Sequence, residues 1–357
     1  MANVGIEQLA KAYGTNRAVD IPTLSIADGE FFSLLGPSGC GKTTTLRCVA
    51  GTVTPDKGRI VIGGRDVTST PTHRRNLGMV FQQYALFPHL TVRENVDYGL
   101  EGRGLTAGAR AARVGESLDL VALGGLDERY PHQLSGGQKQ RVAVARAIAY
   151  RPDVLLLDEP FSSLDLKLRT TLRGDLRQLQ QSLGITTIFV THDQQEALAL
   201  SDRLAVMNVG RVEHVGSPEE IYERPRTTFV ADFVGGTNLL LAIISDAGDG
   251  RARARIDGQG TIDVALEAAL PVGAAVTLMV KPERIRLRPH DGTSTALTGE
   301  LAAVSYGGSG YSYSVDIGAQ RIEVRQAGPA LVNGHRIAPG ERVALEIDSD
   351  AVRVVPA

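Results

Sequence analysis

Apolar residues follow two different rhythms along this chain, and the change falls near residue 235. In the first part, short runs stand between polar, helix-forming stretches: Phe31 to Leu35, Val154 to Leu157, Thr187 to Val190 and Arg203 to Asn208. Runs this short and this continuously apolar suit strands buried on both faces, the pattern of a parallel sheet covered by helices. Leucines at 164, 168, 172, 176, 179 and 183 keep spacings of three and four, which predicts one amphipathic helix between Leu164 and Leu183. Residues from about 100 to 150 are poor in strand signals and rich in helix formers, and predict a helical subdomain, spanning about 86–150, inserted before the Val154 strand. The segment SPEEIYERP predicts a closing helix, with Ser217 as cap, Pro218 in its first position and Glu220 completing a capping box.

From about Gly236 the period changes to two. Ala252/Ala254/Ile256, Ile262/Val264/Leu266, Val276/Leu278/Val280, Tyr311/Tyr313/Val315/Ile317, Val343/Leu345/Ile347 and Val352/Val354 alternate with polar residues, mostly between Gly- and Pro-containing turns. Such strands predict a small β-barrel or sandwich. The expected organisation is therefore an α/β domain with a mainly parallel core sheet over 1–235 and an all-β domain over 236–357.

Length and composition agree with two globular domains: 357 residues, 43% hydrophobic. The longest apolar run, Leu239 to Ile244, is far too short to span a bilayer, and the N-terminus lacks a basic-then-apolar export pattern, so a cytosolic protein is expected. With 38 Lys+Arg against 40 Asp+Glu, no electrostatic reason exists to expect nucleic acid or an anionic membrane as partner. Two cysteines, Cys40 and Cys48, suggest neither a disulfide framework nor a metal site.

The chemistry begins at GPSGCGKTT, Gly36 to Thr44, which fits G-x-x-x-x-G-K-[ST] through Gly36, Gly41, Lys42 and Thr43. Glycines there let successive backbone N–H groups converge on one anion, and the helix that follows adds its N-terminal attraction for phosphate. Lys42 supplies charge for the β/γ-phosphates and Thr43 a hydroxyl for Mg²⁺, while Cys40 fills a variable loop position. A chance Gly-rich turn would lack the strand before and the helix after. Such a loop needs an acidic partner on another strand. VLLLDEP offers Asp158 on the metal side and Glu159 to orient and deprotonate the attacking water. Most Asp-Glu pairs are solvated surface, but this one follows VLLL and is stopped by Pro160.

Between the two lies LSGGQKQRVAVARAIA, Leu134 to Ala149. Ser135, Gly136 and Gly137 open a helix whose amides and serine hydroxyl make a second anion site. An ordinary helix entry would explain SGG alone. With the other motifs present, a second phosphate site makes most sense if it completes another subunit's ATP.

LSGGQ between a phosphate loop and VLLLDEP resembles the ATP-binding subunits of ABC transporters, with their P-loop NTPase fold and helical subdomain. The resemblance implies further roles for residues in matching motifs. Gln82, in GMVFQQYALFPHLTV, matches the glutamine loop that senses Mg²⁺ and water and contacts membrane subunits. Asp165, in SSLD, matches the loop that crosses the dimer interface; His192, in FVTHD, matches the histidine that holds the γ-phosphate; Tyr13 sits where an aromatic ring stacks on adenine. The expected ATP site is thus Tyr13, Gly36, Ser38, Gly39, Cys40, Gly41, Lys42, Thr43 and Thr44 of one chain. Ser135, Gly136, Gly137, Gln138 and Asp165 of a second copy would complete it, with Glu159, His192 and Gln82 catalytic and Thr43, Gln82 and Asp158 around Mg²⁺. The β domain, with MVKPERIRL, resembles the OB-like regulatory (TOBE-type) domains of importer ATPases in the maltose-and-polyamine-type group.

That resemblance implies an ATPase on the cytoplasmic face of the membrane, bound to two transmembrane permease subunits and served indirectly by an external solute-binding protein. Closure of an ATP-sandwiched homodimer would power import. GEFFSLLGPSGCGKTTTLR and FVADFVGGTNLL look closest to polyamine importer subunits, with ferric iron, phosphonate, opine or sugar import as alternatives. A nucleic-acid-associated ABC ATPase is the reading from another class. Against it, residues 236–357 carry 12 Lys+Arg, 14 Asp+Glu and only three aromatics, Tyr306, Tyr311 and Tyr313. A stand-alone kinase or switch NTPase would leave LSGGQ unexplained.

Overall fold

The computed structural model describes residues 2–248, 250–256, 259–266, 270–290, 297–332 and 335–355. The chain forms two compact units, residues 1–219 and 220–357.

The first unit is built on a six-stranded sheet. Its strands, with the rest of this unit numbered in chain order, follow β1 (Val4–Tyr13), β2 (Asn16–Ile26), β3 (Phe31–Leu35), β4 (Lys57–Ile62), β5 (Arg65–Asp66), β6 (Leu77–Val80), β7 (Val154–Asp158), β8 (Thr186–Thr191), β9 (Arg203–Asn208) and β10 (Arg211–Gly216). The large sheet has the order β10-β9-β3-β8-β7-β6, parallel throughout except for β10. Period-two geometry explains why its strands read as unbroken apolar runs. Phe31, Leu155, Leu157 and Phe189 point into one core, while Phe32, Leu34, Leu156, Ile188 and Val190 point into another. Both faces are covered, so neither set can be polar.

Helices α1 (Lys42–Ala50), α2 (Val92–Tyr98), α3 (Ala107–Leu120), α4 (Gly136–Ile148), α5 (Leu166–Leu183) and α6 (Gln194–Leu200) complete this unit. The core on the Phe31 side takes Val96, Leu118, Val142, Ala145, Leu172 and Leu176 from α2 to α5. The opposite core takes Leu46 and Val49 of α1 together with a second, antiparallel sheet, β2-β1-β4-β5, which the apolar pattern does not announce. The leucine helix starts two residues later than expected. Asp165 accepts from the Leu168 amide as N-cap, leaving Leu164 buried just outside the helix and Leu166 exposed.

The second unit opens with α7 (Pro218–Glu223), which begins at the last residues of the first, and α8 (Thr228–Phe233). Its division from the first unit falls ahead of residue 235. Tyr222 of α7 and Ala231 of α8 pack on the β domain, the latter with Met279 and Val355. Strands β11 (Asn238–Gly248), β12 (Arg251–Ile256), β13 (Gly260–Ala265), β14 (Ala275–Val280), β15 (Ile285–Pro289), β16 (Leu297–Tyr306), β17 (Tyr311–Ile317), β18 (Gln320–Gln326), β19 (Leu331–Val332), β20 (His335–Arg336), β21 (Arg342–Ile347) and β22 (Val352–Val355) are all antiparallel. They make two five-stranded sheets, β13-β12-β11-β14-β22 and β15-β21-β16-β17-β18, around one core, with β19 and β20 as a separate ribbon. Ala252, Ala254, Ile256, Val264, Leu278, Tyr313, Val315 and Leu345 point inward, following the alternation in the sequence.

Candidate active site

Strands β3, β8, β7 and β6 are consecutive neighbours and run in the same direction. Their carboxyl ends therefore deliver, side by side, the loop from Gly36, His192, the pair Asp158–Glu159, and Gln82. Ligands of open α/β sheets bind in this crevice.

The loop's conformation demands its glycines at two places. A Cβ at Gly36 would lie 2.3 Å from the Met207 carbonyl oxygen; at Gly41, with φ of +104°, it would lie 2.3 Å from the Ala18 carbonyl oxygen. Lys42, the first residue of α1, is buried, and its ammonium donates to the carbonyls of Gly36 (2.7 Å) and Pro37 (2.8 Å). The loop thus holds its cation over its own backbone. Cys40 is buried beside it, its Sγ 3.7 Å from Lys42 Nζ, and burial pushes its thiol up, so it packs as a neutral filler. Ser38 and Gly39 are exposed, Thr43 and Thr44 half-buried.

Thr43 Oγ1 donates to Asp158 Oδ1 at 3.3 Å. Asp158 is only 8% exposed, and burial raises its carboxyl pKa against the opposing pull of the Thr43 hydrogen bond. Among the described residues it takes part in no ion pair, and no three His, Cys, Asp or Glu side chains are arranged to hold a metal ion by themselves. A desolvated carboxylate beside a hydroxyl fits Mg²⁺, a hard ion that keeps waters and phosphate oxygens as its remaining ligands.

Glu159 draws the other strand ends together. Its Oε2 accepts from Gln82 Nε2 at 3.4 Å and lies 3.2 Å from His192 Nδ1. Its backbone has φ of +46°, a left-handed conformation that costs a non-glycine residue on the order of 1 kcal/mol or more. That strain, between the β7 ladder and Pro160, aims the side chain at Gln82 and His192, both exposed to solvent. Tyr13, at the turn from β1 to β2, is 53% exposed, with Lys11 Nζ 5.6 Å from its ring centroid. Five residues on, Ala18 packs against Gly41.

The structure leaves Ser135, Gly136, Gly137, Gln138 and Asp165 apart from this set. Ser135 caps α4: its Oγ accepts from the Gln138 amide at 3.3 Å, and Gln138 Oε1 accepts from the Ser135 amide at 2.9 Å. Among the described residues the hydroxyl acts only as acceptor, which leaves its proton to donate. Gly136 and Gly137 let α4 approach Leu164 and Leu168, whose side chains would lie 3.1 Å from an added Cβ. Among the described residues, no hydrogen bond or ion pair of this group reaches Lys42, Thr43, Asp158 or Glu159.

Sequence reasoning missed two supports. Arg146 of α4 donates to the carbonyls of Tyr84 and Ala85, which follow Gln82 with φ of +59° and +47°. Tyr84 Oη in turn shares a hydrogen bond with Ser163 Oγ at 2.7 Å. On α5, Arg169 and Arg173 meet Asp193 and Glu196 in the segment after His192. The signal was present: arginines 169, 173 and 177 repeat every four residues beside the leucine stripe.

Comparison with known proteins supplies the family. The ABC transporter family model covers residues 19–162 and the TOBE domain model residues 278–355. The chain is 49% identical over 318 residues to a spermidine/putrescine import ATP-binding protein of Acidothermus cellulolyticus, covering 87% of this chain and 83% of that one. It is 46% identical over 354 residues to the Rubrobacter xylanophilus protein of the same name (97% and 92%). A sulfate/thiosulfate import ATP-binding protein of Chromobacterium violaceum is 44% identical over 366 residues (99% and 95%). A dimeric structure of a bacterial ABC transporter cassette superposes with a TM-score of 0.54 at 34% identity, covering 60% of this chain and 98% of that one. A post-hydrolysis dimer bound to ADP and Pi superposes equally well over the same share. The two family models, and relatives 46–49% identical over most of both chains, place this chain in the ABC transporter family as an ATP-hydrolysing subunit.

Proposed function

We propose that the chain is the ATPase of a polyamine importer and works as a homodimer in which each ATP is held between the phosphate loop of one copy and the Ser135 end of α4 in the other. The observation that carries this is the convergence of Lys42, Thr43, Asp158, Glu159, Gln82 and His192 at four adjacent strand ends. The phosphate loop and α1 bind the phosphates, with Tyr13 as the platform for adenine. Thr43, Asp158 and Gln82 would hold Mg²⁺, which neutralises charge on the β- and γ-phosphates when bound. Glu159 takes the proton of the attacking water, Gln82 orients that water, and His192 leaves Glu159 to hold the γ-phosphate. Ser135, Gly137 and Asp165 complete the site from the other copy. ATP favours the closed pair because only the closed pair contacts the γ-phosphate from both sides, and hydrolysis removes that difference.

Polyamine import is favoured because spermidine/putrescine import proteins recur among similar relatives over nearly the whole chain. Sulfate is the second reading, from the Chromobacterium violaceum relative. Two permease subunits, contacted through Gln82 to Leu90, would receive the movement at the cytoplasmic face of the membrane, and an external binding protein would deliver the solute. No helix among the described residues is long and apolar enough to cross a membrane.

Glu159→Gln is the test. It should lower ATP turnover about 100-fold or more and yield a dimer with ATP and Mg²⁺ by size-exclusion chromatography. Full turnover, or a monomer under those conditions, would refute the sandwich. Spermidine uptake that persists when the reconstituted complex carries Lys42→Ala would refute its role in polyamine import.

A further inference from the structure

Asp165 and His192 serve different partners in the proposed cycle, one facing the second copy and the other the γ-phosphate, yet the structure joins the segments that carry them. We propose that Arg169 is a positioning residue that couples the seating of the Ser163–Asp165 segment to the placement of His192. The inference rests on the reading of Asp165 and His192 given above.

Arg169 lies one turn into α5. Its Nη2 donates to the Leu164 carbonyl at 3.1 Å and its Nη1 to Asp193 Oδ2 at 3.2 Å, so the two arms of one guanidinium hold two loops. A planar fork does this with little freedom left, and a lysine ammonium cannot reproduce it. The Asp193 side is firmly held. Arg173 Nη2 donates to Asp193 Oδ2 and Glu196 Oε1, at 3.2 and 3.1 Å. Asp193 Oδ1 caps the Glu196 amide, and Thr191 Oγ1 joins Glu196 Oε2 (2.7 Å) to the Asp193 amide (3.0 Å). Both neighbours of His192 are thereby fixed to a balanced quartet of two arginines and two carboxylates. The other end is held too, since Ser163 bonds Tyr84 of the Gln82 loop. Movement of Leu164 when a second copy seats against Asp165 must pull on Arg169, and Arg169 pulls on the turn that carries His192.

Steady-state ATPase kinetics of the full chain test this. Arg169→Gln should lower kcat on the order of tenfold with KM within about twofold, and Arg169→Lys should recover part of the loss. Arg169→Gln combined with His192→Ala should be no slower than His192→Ala alone, because both cut one path. In the Glu159→Gln background, Arg169→Gln should still form the ATP-dependent dimer. An unchanged kcat, a raised KM with intact kcat, or a double variant whose losses multiply would overturn the proposal. So would a His192→Ala variant that keeps wild-type turnover. A monomeric Glu159→Gln parent would instead overturn the sandwich, leaving the coupling to be decided by the double variant. If Arg169→Gln does not fold, Asp193→Asn weakens the same link and is read by the same criteria.

Discussion

At the scale of single residues, the site stores cost where it needs chemistry. Asp158 is buried and, among the described residues, no cation pairs with it directly; desolvation raises its carboxyl pKa against the weaker pull of Thr43, Arg47 and Lys42. Because the folded value lies above the unfolded one, the cost of the carboxylate is full above the folded pKa. It disappears as pH falls below the unfolded value near 3.8. At neutral pH, Asp158→Asn is therefore expected to raise the Tm of the nucleotide-free protein in calorimetry while lowering Mg²⁺-dependent ATPase on the order of 100-fold. A lower Tm would show that the Thr43 hydrogen bond outweighs desolvation. Glu159 carries a backbone cost in the same way, through its left-handed φ.

At the scale of elements, the capped end of α4 serves both the fold and the proposed interface, and the two can be separated. Ser135→Ala should cost about 1 kcal/mol of stability through loss of the cap. Ser135→Asp keeps a good cap yet places a negative charge where the second copy's phosphate is proposed to sit. In the Glu159→Gln background, Ser135→Asp should hold the parental Tm and lose the ATP-dependent dimer on size exclusion; a dimer that survives this substitution would exclude the α4 end from the interface. Much of this architecture was legible. The strands beneath the site are apolar at almost every position because both faces are covered, and the C-terminal strands alternate because only one is. The β1–β2 sheet escaped notice for a physical reason. Val4 and Ile6 face the core, but the next inward residue is Leu9, because Gln8, with φ of +49°, breaks the alternation. The arginine–carboxylate quartet escaped because charges on a helix are ordinarily solvated, and its acidic half lies 20 or more residues from its basic half.

At the scale of the whole molecule, the second unit contains its own ionisable latch. Lys281, buried, donates to Thr237 Oγ1 and the Val234 carbonyl and lies 3.9 Å from the centroid of the Tyr222 ring. Burial lowers its pKa to about 8, from 10.5. Between those values the unfolded chain binds the extra proton, so this group's contribution makes stability rise with pH, by up to about 1.4 kcal/mol per pH unit. Tyr222, pushed up to about 12, opposes this only above its ordinary value of 10. From pH 8 to 10, then, urea unfolding of the wild type should gain stability relative to Lys281→Met; a constant difference would show that the ammonium is not desolvated.

The order of the large sheet has a consequence for synthesis. β3, which launches the phosphate loop, pairs with β8 and β9 and with no strand made sooner. As the chain leaves the ribosome, FFSLL must wait for roughly 150 further residues, about 10 to 30 s at ordinary elongation rates, with both of its edges unpaired. The nascent chain passes through a long interval in which this apolar, finally buried strand has no partner, an exposure of the kind that chaperones act on.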